Sequence, residues 1–131
     1  MILGLGTDII EIGRMRKAVE GSGFLARVFT QKEIEYCNSR SAQRAASYAA
    51  RFAGKEAVLK AFGTGLRGGT LLDIEILPDA LGCPIVSLSG YYNDLAKQKG
   101  VTGIFISLSH AREYATAQCI LEGNSRENSF S

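Results

Sequence analysis

Apolar and polar positions change period several times along the 131 residues. Over residues 1–10, Ile2, Leu3, Leu5, Ile9 and Ile10 surround Gly4 and Gly6, which predicts a strand. A helix is expected to follow over 12–20, closed by Gly21 and Gly23. Thr30-Gln-Lys-Glu33 has capping-box spacing, in which hydroxyl and carboxylate satisfy each other's backbone N–H groups, so a short helix should begin there. The alanine-rich run from Ser41 to Phe62 predicts one long helix with Gly63 as its C-cap. Leu72, Ile74 and Ile76 alternate with Asp73 and Glu75, the period of a strand. Turn chemistry over 78–84 leads into a return strand, Pro84–Leu88. A helix over 90–99 ends at Gly100, and strands 103–109 and 113–121 form a hairpin around His110-Ala-Arg. The polar residues 123–131 are expected to be a disordered tail. Together these elements predict one α+β domain over 1–122, an antiparallel β-sheet packed against one long central helix plus shorter helices.

The long helix carries charge where its pattern calls for apolar residues. With Ala45 at 0°, Ala49, Phe52, Ala53 and Leu59 fall within an arc from about 320° to about 80°. Glu56 lands near about 20° and Lys60 near about 60°, inside that arc. Ser47, Arg51, Gly54 and Lys55 gather between about 180° and about 280° and are expected to form the solvated face. Glu56 and Lys60 are therefore expected to point toward the sheet, where an ionised group is costly without a partner. Two readings fit: an internal i,i+4 ion pair, or a metal-binding acid and a phosphate-binding lysine at the mouth of a cleft.

The second reading needs another acid and an anion-binding backbone. Asp8, at the end of the first apolar strand, is either a cap for the next helix or a ligand. The segment Gly63-Thr64-Gly65-Leu-Arg67-Gly68-Gly69 can aim N–H groups and a hydroxyl at an anion. Neither glycine segment is a known nucleotide fingerprint, since GxxxxGK[ST] is absent and Ile9 stands where the third glycine of GxGxxG would be. Two carboxylates, a lysine and a flexible Gly-Thr-Gly suggest a hard cation holding a phosphate, most simply Mg²⁺. The single histidine, His110, ends ISLSH beside Ser107 and Ser109, either as an exposed strand end or as a phosphate contact.

Composition narrows the setting. A net charge of +2 does not call for nucleic acid, and no apolar run reaches the roughly 20 residues of a membrane span. Asp8 and the absence of an early basic segment argue against a signal peptide. Cys37, Cys83 and Cys119 are odd in number and widely spaced, so they are expected to be buried or semi-buried free thiols in a cytoplasmic protein. Between Arg14 and Arg44, seven basic residues oppose Glu20, Glu33 and Glu35, an excess that is either a solvated face or a docking surface for an acidic partner.

Gly6-x-Asp8 with Arg14, then Arg51-Phe52-Ala-x-Lys55-Glu56-Ala57-x-x-Lys60-Ala61-x-Gly63-Thr64-Gly65, then Ser107-Leu-Ser109-His110 resembles the holo-[acyl-carrier-protein] synthases. These are the short branch of the 4′-phosphopantetheinyl transferase family, and the likeness spans about residues 1–122 in order and spacing. It implies transfer of 4′-phosphopantetheine from coenzyme A to a serine of apo acyl carrier protein, releasing adenosine 3′,5′-bisphosphate, in lipid biosynthesis. It further implies Asp8 and Glu56 as Mg²⁺ ligands and Lys60 near the pyrophosphate. Gly63, Thr64, Gly65, Ser109 and His110 would border coenzyme A, and Arg14, with Arg16 in the same basic stretch, would dock the carrier. Members of this branch are typically homotrimers with sites shared between subunits. Two departures stand out. Ala111 follows His110 where many relatives carry a polar or acidic residue, so the base for the serine falls to Glu56, through a metal-bound water, ahead of Asp8. Gly54 sits mid-helix where relatives often have Ala, a loss of about 1 kcal/mol in helix propensity. Other classes remain open on the residues alone: a non-catalytic module binding an acidic protein, or a Mg²⁺-dependent nucleotide hydrolase.

Overall fold

Residues 1–124 are described by a computed structural model. In chain order the elements are β1 (Ile2–Glu11), α1 (Ile12–Ala18), α2 (Phe24–Val28), α3 (Gln31–Asn38), α4 (Arg44–Phe62), β2 (Ile74–Pro78), β3 (Pro84–Leu88), α5 (Gly90–Gln98), β4 (Val101–His110) and β5 (Tyr114–Gly123). One antiparallel sheet has the order β1-β5-β4, and β2 and β3 form a separate hairpin. Both are packed against α4, so the α+β architecture expected from the sequence is the one observed.

Boundaries moved where local chemistry was stronger than pattern. Ser41, at φ 53°, holds residues 41–43 in a 3₁₀ turn, and the long helix begins at Arg44. Leu72 is not in a strand: Thr70 and Asp73 form a second capping box around a 3₁₀ turn, Leu71–Asp73. The first capping box forms as expected, with Thr30 and Glu33 exchanging backbone bonds. Gly123 belongs to β5, where it exchanges backbone bonds with Met1, so the domain runs one residue past the expected limit at 122. Of the expected tail, residues 125–131 lie outside the described residues.

Helix α4 lies on the inner sheet face among Ala115, Ala117, Cys119 and Leu121 of β5. Small residues set the spacing. A Cβ at Gly4 would overlap the Ala61 carbonyl, and one at Gly6 the Ala57 carbonyl, so only glycine lets β1 lie directly on the helix backbone. A Cβ at Gly54 would come within 2.6 Å of Ile76 Cδ1 and 3.2 Å of Leu108 Cδ2, so glycine at this mid-helix position lets those side-chain ends close directly over the helix.

The face of α4 expected to meet solvent is instead buried. Ser47, Arg51, Gly54 and Lys55 all lie beneath α3 and the β2–β3 hairpin. Arg51 donates to Ile76 O and Ser47 Oγ and stacks on Tyr36, 4.5 Å from the ring centre. Lys55 and Glu33 form an ion pair at 2.8 Å with both side chains 0% exposed. Lys55 Nζ also donates to Leu71 O and Ile74 O, while Glu33 Oε2 accepts from Ile76 N. Burial pulls the Lys55 pKa down, and Glu33 opposes that pull. Between Ala45 and Phe62 the residues not buried are Phe52, Glu56 and Lys60, an i,i+4 strip. The apolar arc is covered as expected at Ala45, Ala49, Ala53 and Leu59, and the opposite face is covered too, because one-dimensional patterning cannot register a second covering layer.

Candidate active site

Asp8 sits inside β1, opposite Ala117, rather than at the strand's end. It does not cap α1 either: Glu11 holds the N-cap position, and no side chain caps that helix. Its carboxylate, 15% exposed, accepts from Lys60 Nζ at 3.0 Å through Oδ1. Lys60 also donates to Thr7 O at 3.0 Å, so the lysine is fastened to the strand rather than paired with Glu56. Asp8 Oδ2 is buried with no hydrogen-bond partner. A buried carboxylate oxygen left without a donor signals a missing ligand. Glu56 is half-buried nearby; burial first, then the neighbouring Asp8 charge, pushes its pKa up, while Lys60 pulls it down. An all-oxygen donor pair with one orphaned atom suits a hard divalent cation. Among the described residues no cluster of three or more potential protein ligands exists, so the remaining positions on such an ion would fall to water and substrate oxygens.

Beside these groups is a cleft of about 510 Å³ lined by Glu56, Leu59, Lys60, Gly63, Gly65, Leu66 and Leu71. Gly63 ends α4 in the left-handed conformation expected of it, at φ 78°. The following loop continues with positive φ at Gly65 and Gly68. Thr64 turns its hydroxyl onto Gly65 O at 3.3 Å. The Arg67 backbone N–H points to the Tyr92 hydroxyl at 3.2 Å. Asp8, Glu56, Lys60 and the Gly-Thr-Gly loop are thus brought together as the sequence suggested.

Ser109 and His110 are elsewhere. They lie at the end of β4, the opposite edge of the sheet from β1, in a pocket of about 180 Å³ that includes Arg40, Gln43, Arg51 and Pro84. His110 Nε2 and Gln43 Oε1 are 3.2 Å apart. Within one chain the structure does not bring Ser109 and His110 to the Asp8 cleft. Sequence reasoning missed Arg40, Gln43 and Arg51 as their companions. For Arg40 the signal was the surplus of basic residues up to Arg44, which reads equally as a solvated face or as a docking surface for an acidic partner.

Arg14 is 83% exposed on α1 and 3.9 Å from Glu11. It borders a largely apolar groove of about 570 Å³ with Met15, Ala18, Phe24 and Phe52. Arg16 faces a smaller recess with Arg112 and Glu113. All three cysteines are free, with Cys37 and Cys119 buried and Cys83 exposed, the last contrary to expectation. Burial pushes the Cys119 thiol up to about 12.

Residues 4–119 match the sequence profile of the 4′-phosphopantetheinyl transferase superfamily. The chain is 52% identical to the holo-[acyl-carrier-protein] synthase of Ruminiclostridium cellulolyticum, covering 95% of this chain and 96% of that protein. Its fold is similar to the crystal structure of the Neisseria meningitidis holo-[acyl-carrier-protein] synthase, with TM-score 0.85 and 31% identity over 93% of this chain and 99% of that one. It is also similar to the Bacillus anthracis holo-(acyl-carrier-protein) synthase in complex with CoA (3′,5′-ADP), with TM-score 0.79 and 35% identity over 95% and 99% of the two chains. By sequence and by fold, this chain belongs to the 4′-phosphopantetheinyl transferase superfamily, in the branch of the holo-[acyl-carrier-protein] synthases.

Proposed function

We propose that the protein transfers 4′-phosphopantetheine from coenzyme A to a serine of apo acyl carrier protein at the cleft between β1 and α4. The observation that carries the site assignment is the buried, unpartnered Asp8 Oδ2 beside Glu56 and Lys60. Asp8 and Glu56 would hold Mg²⁺, which when bound supplies positive charge to the pyrophosphate and its leaving oxygen. Lys60, anchored on Thr7 O and Asp8, adds a fixed ammonium at the same edge of the cleft. The carrier's serine oxygen bonds to the β-phosphorus as the bond to the α–β bridging oxygen breaks, releasing adenosine 3′,5′-bisphosphate. Glu56, made more basic than a free carboxylate by burial and the Asp8 charge, is the group placed to take the hydroxyl proton.

The carrier docks against α1 in this reading. Exposed Arg14 and Arg16 attract its acidic surface, and the apolar groove beside Arg14 receives an apolar side chain. The active unit is a homotrimer. Leu5 and Phe105, both paired across Ile120, leave an apolar row uncovered on the outer sheet face, 68% and 55% exposed. Association through that face would let one copy's His110 pocket complete another copy's Asp8 cleft, supplying Arg40, Arg51, Ser109 and His110 to the nucleotide end of coenzyme A. Three free thiols suit a cytoplasmic setting.

The deciding experiment is intact mass of apo carrier protein after incubation with enzyme, coenzyme A and Mg²⁺. One added phosphopantetheine is expected, and an unchanged carrier mass would overturn the reaction. Light scattering should give three times the 14.1 kDa chain mass. Mixing Asp8→Asn with His110→Ala should restore activity that neither variant has alone, since mixed trimers contain some intact composite sites.

A further inference from the structure

Residues 63–71 wall the cleft, yet three of the loop's glycines sit at positive φ and little backbone bonding holds it. Such a segment is entropically costly to keep in one shape. Among the described residues, the hydrogen bonds that join residues 64–69 to the rest of the protein all run through one hydroxyl, that of Tyr92 on α5. Tyr92 is fully buried, accepts from the Arg67 N–H at 3.2 Å and donates to Gly65 O at 3.1 Å. The loop also lies on the rings beneath it: a Cβ at Gly69 would reach within 2.6 Å of Tyr92 Cε2, and one at Gly68 within 2.7 Å of Tyr91 Cε1.

The direction of these bonds matters. A trans peptide points its C=O and N–H oppositely. With the Gly65 carbonyl tied to Tyr92, that oxygen is held toward α5 and the Leu66 N–H is turned the other way. Both Gly65 and Leu66 line the cleft. We propose that Tyr92 is a positioning residue, whose hydroxyl fixes the Gly65–Leu66 peptide so that the loop offers the substrate's phosphates an N–H instead of a carbonyl oxygen. The inference rests on the reading of this cleft as the phosphate site. Without the hydroxyl, the Gly65 carbonyl keeps only bonds from within the loop, from the Arg67 N–H at 3.1 Å and the Thr64 hydroxyl at 3.3 Å, so nothing ties the peptide to α5 and the loop can turn a carbonyl dipole toward the anion.

Tyr92→Phe removes one oxygen and keeps the ring that fills the core. The expected result is a roughly five- to tenfold rise in KM and Kd for coenzyme A, with kcat and the KM for carrier protein within about twofold of the parent. Hydrogen exchange over residues 64–69 should quicken in the same variant while melting temperature changes little. Tyr91→Phe, whose partly exposed ring only supports Gly68, is the control and should match the parent. Unchanged loop exchange in Tyr92→Phe, or an unchanged coenzyme A KM, overturns the inference. Asp8→Asn measured alongside separates the two levels. If Asp8→Asn is inactive and Tyr92→Phe is normal, only the positioning role falls; if Asp8→Asn remains active, the cleft assignment itself falls.

Discussion

Lys55 and Lys60 stand on the same helix, and each is joined to a carboxylate contributed by another element. Lys55 meets Glu33 in complete burial, and both groups are satisfied by backbone partners as well as by each other. Lys60 meets Asp8 at the rim, the lysine half in solvent and one Asp8 oxygen left without a donor. The first arrangement is closed: it ties α3, α4 and β2 together and has no capacity for anything further. The second is open, and its unsatisfied oxygen is the chemical opportunity. Charge inside a protein is therefore no guide to function by itself; the unfilled valence of its hydrogen bonding is.

The contrast is broken most forcefully at the closed pair. Lys55→Met strands the Glu33 carboxylate in the core and should lower stability by about 3–5 kcal/mol in urea unfolding. Adding Glu33→Gln should recover a substantial part of that loss, because the buried charge disappears with its partner. Equal destabilisation in the single and double variants would mean that packing, not charge, dominates there.

At the open pair the same kind of change should spare the fold and remove the activity. Asp8→Asn should reduce transfer by at least about a hundredfold, an effect of the size seen when one preorganised electrostatic group is lost from a site. It should also abolish the rise in melting temperature expected of the parent on addition of Mg²⁺, a readout independent of turnover. A retained Mg²⁺ shift would remove Asp8 from the ligand set.

The smallest effect concerns Glu56 without metal. Burial and Asp8 raise its pKa in the fold, so at low pH it is protonated in both states and makes no difference to stability. As pH rises the unfolded chain ionises first, and native stability is lost until the raised pKa is passed. Glu56→Gln should therefore melt higher than the parent near about pH 7.5 in a chelator, with that advantage shrinking as the pH falls below the ordinary carboxylate range. A lower melting temperature at neutral pH would show Glu56 to be a structural partner like Glu33.

Much of this was readable from residue order. The Thr30–Glu33 capping box, the Gly63 C-cap, the β2–β3 and β4–β5 hairpins and the meeting of Asp8, Glu56 and Lys60 all have local or family signatures. What escaped was non-local. Glu33 reads as a cap, and nothing near it announces that the same carboxylate also takes Lys55 and Ile76 N. Lys55 reads as solvated because the hairpin that covers it comes later in the chain. His110 reads as a strand end or a phosphate contact, and its distance from the acids within one chain escapes the sequence because residue order says nothing about which sheet edge a strand occupies.

The bare contact of β1 with α4 at Gly4 and Gly6 has a mechanical corollary. Asp8 rides on the strand and Glu56 on the helix, so the width of the gap that the proposed cation would bridge is gauged by main chain resting on main chain, with no side chain as a shim. A single methyl wedged in at either glycine would lift the helix and leave every reactive group present, correctly typed and out of reach.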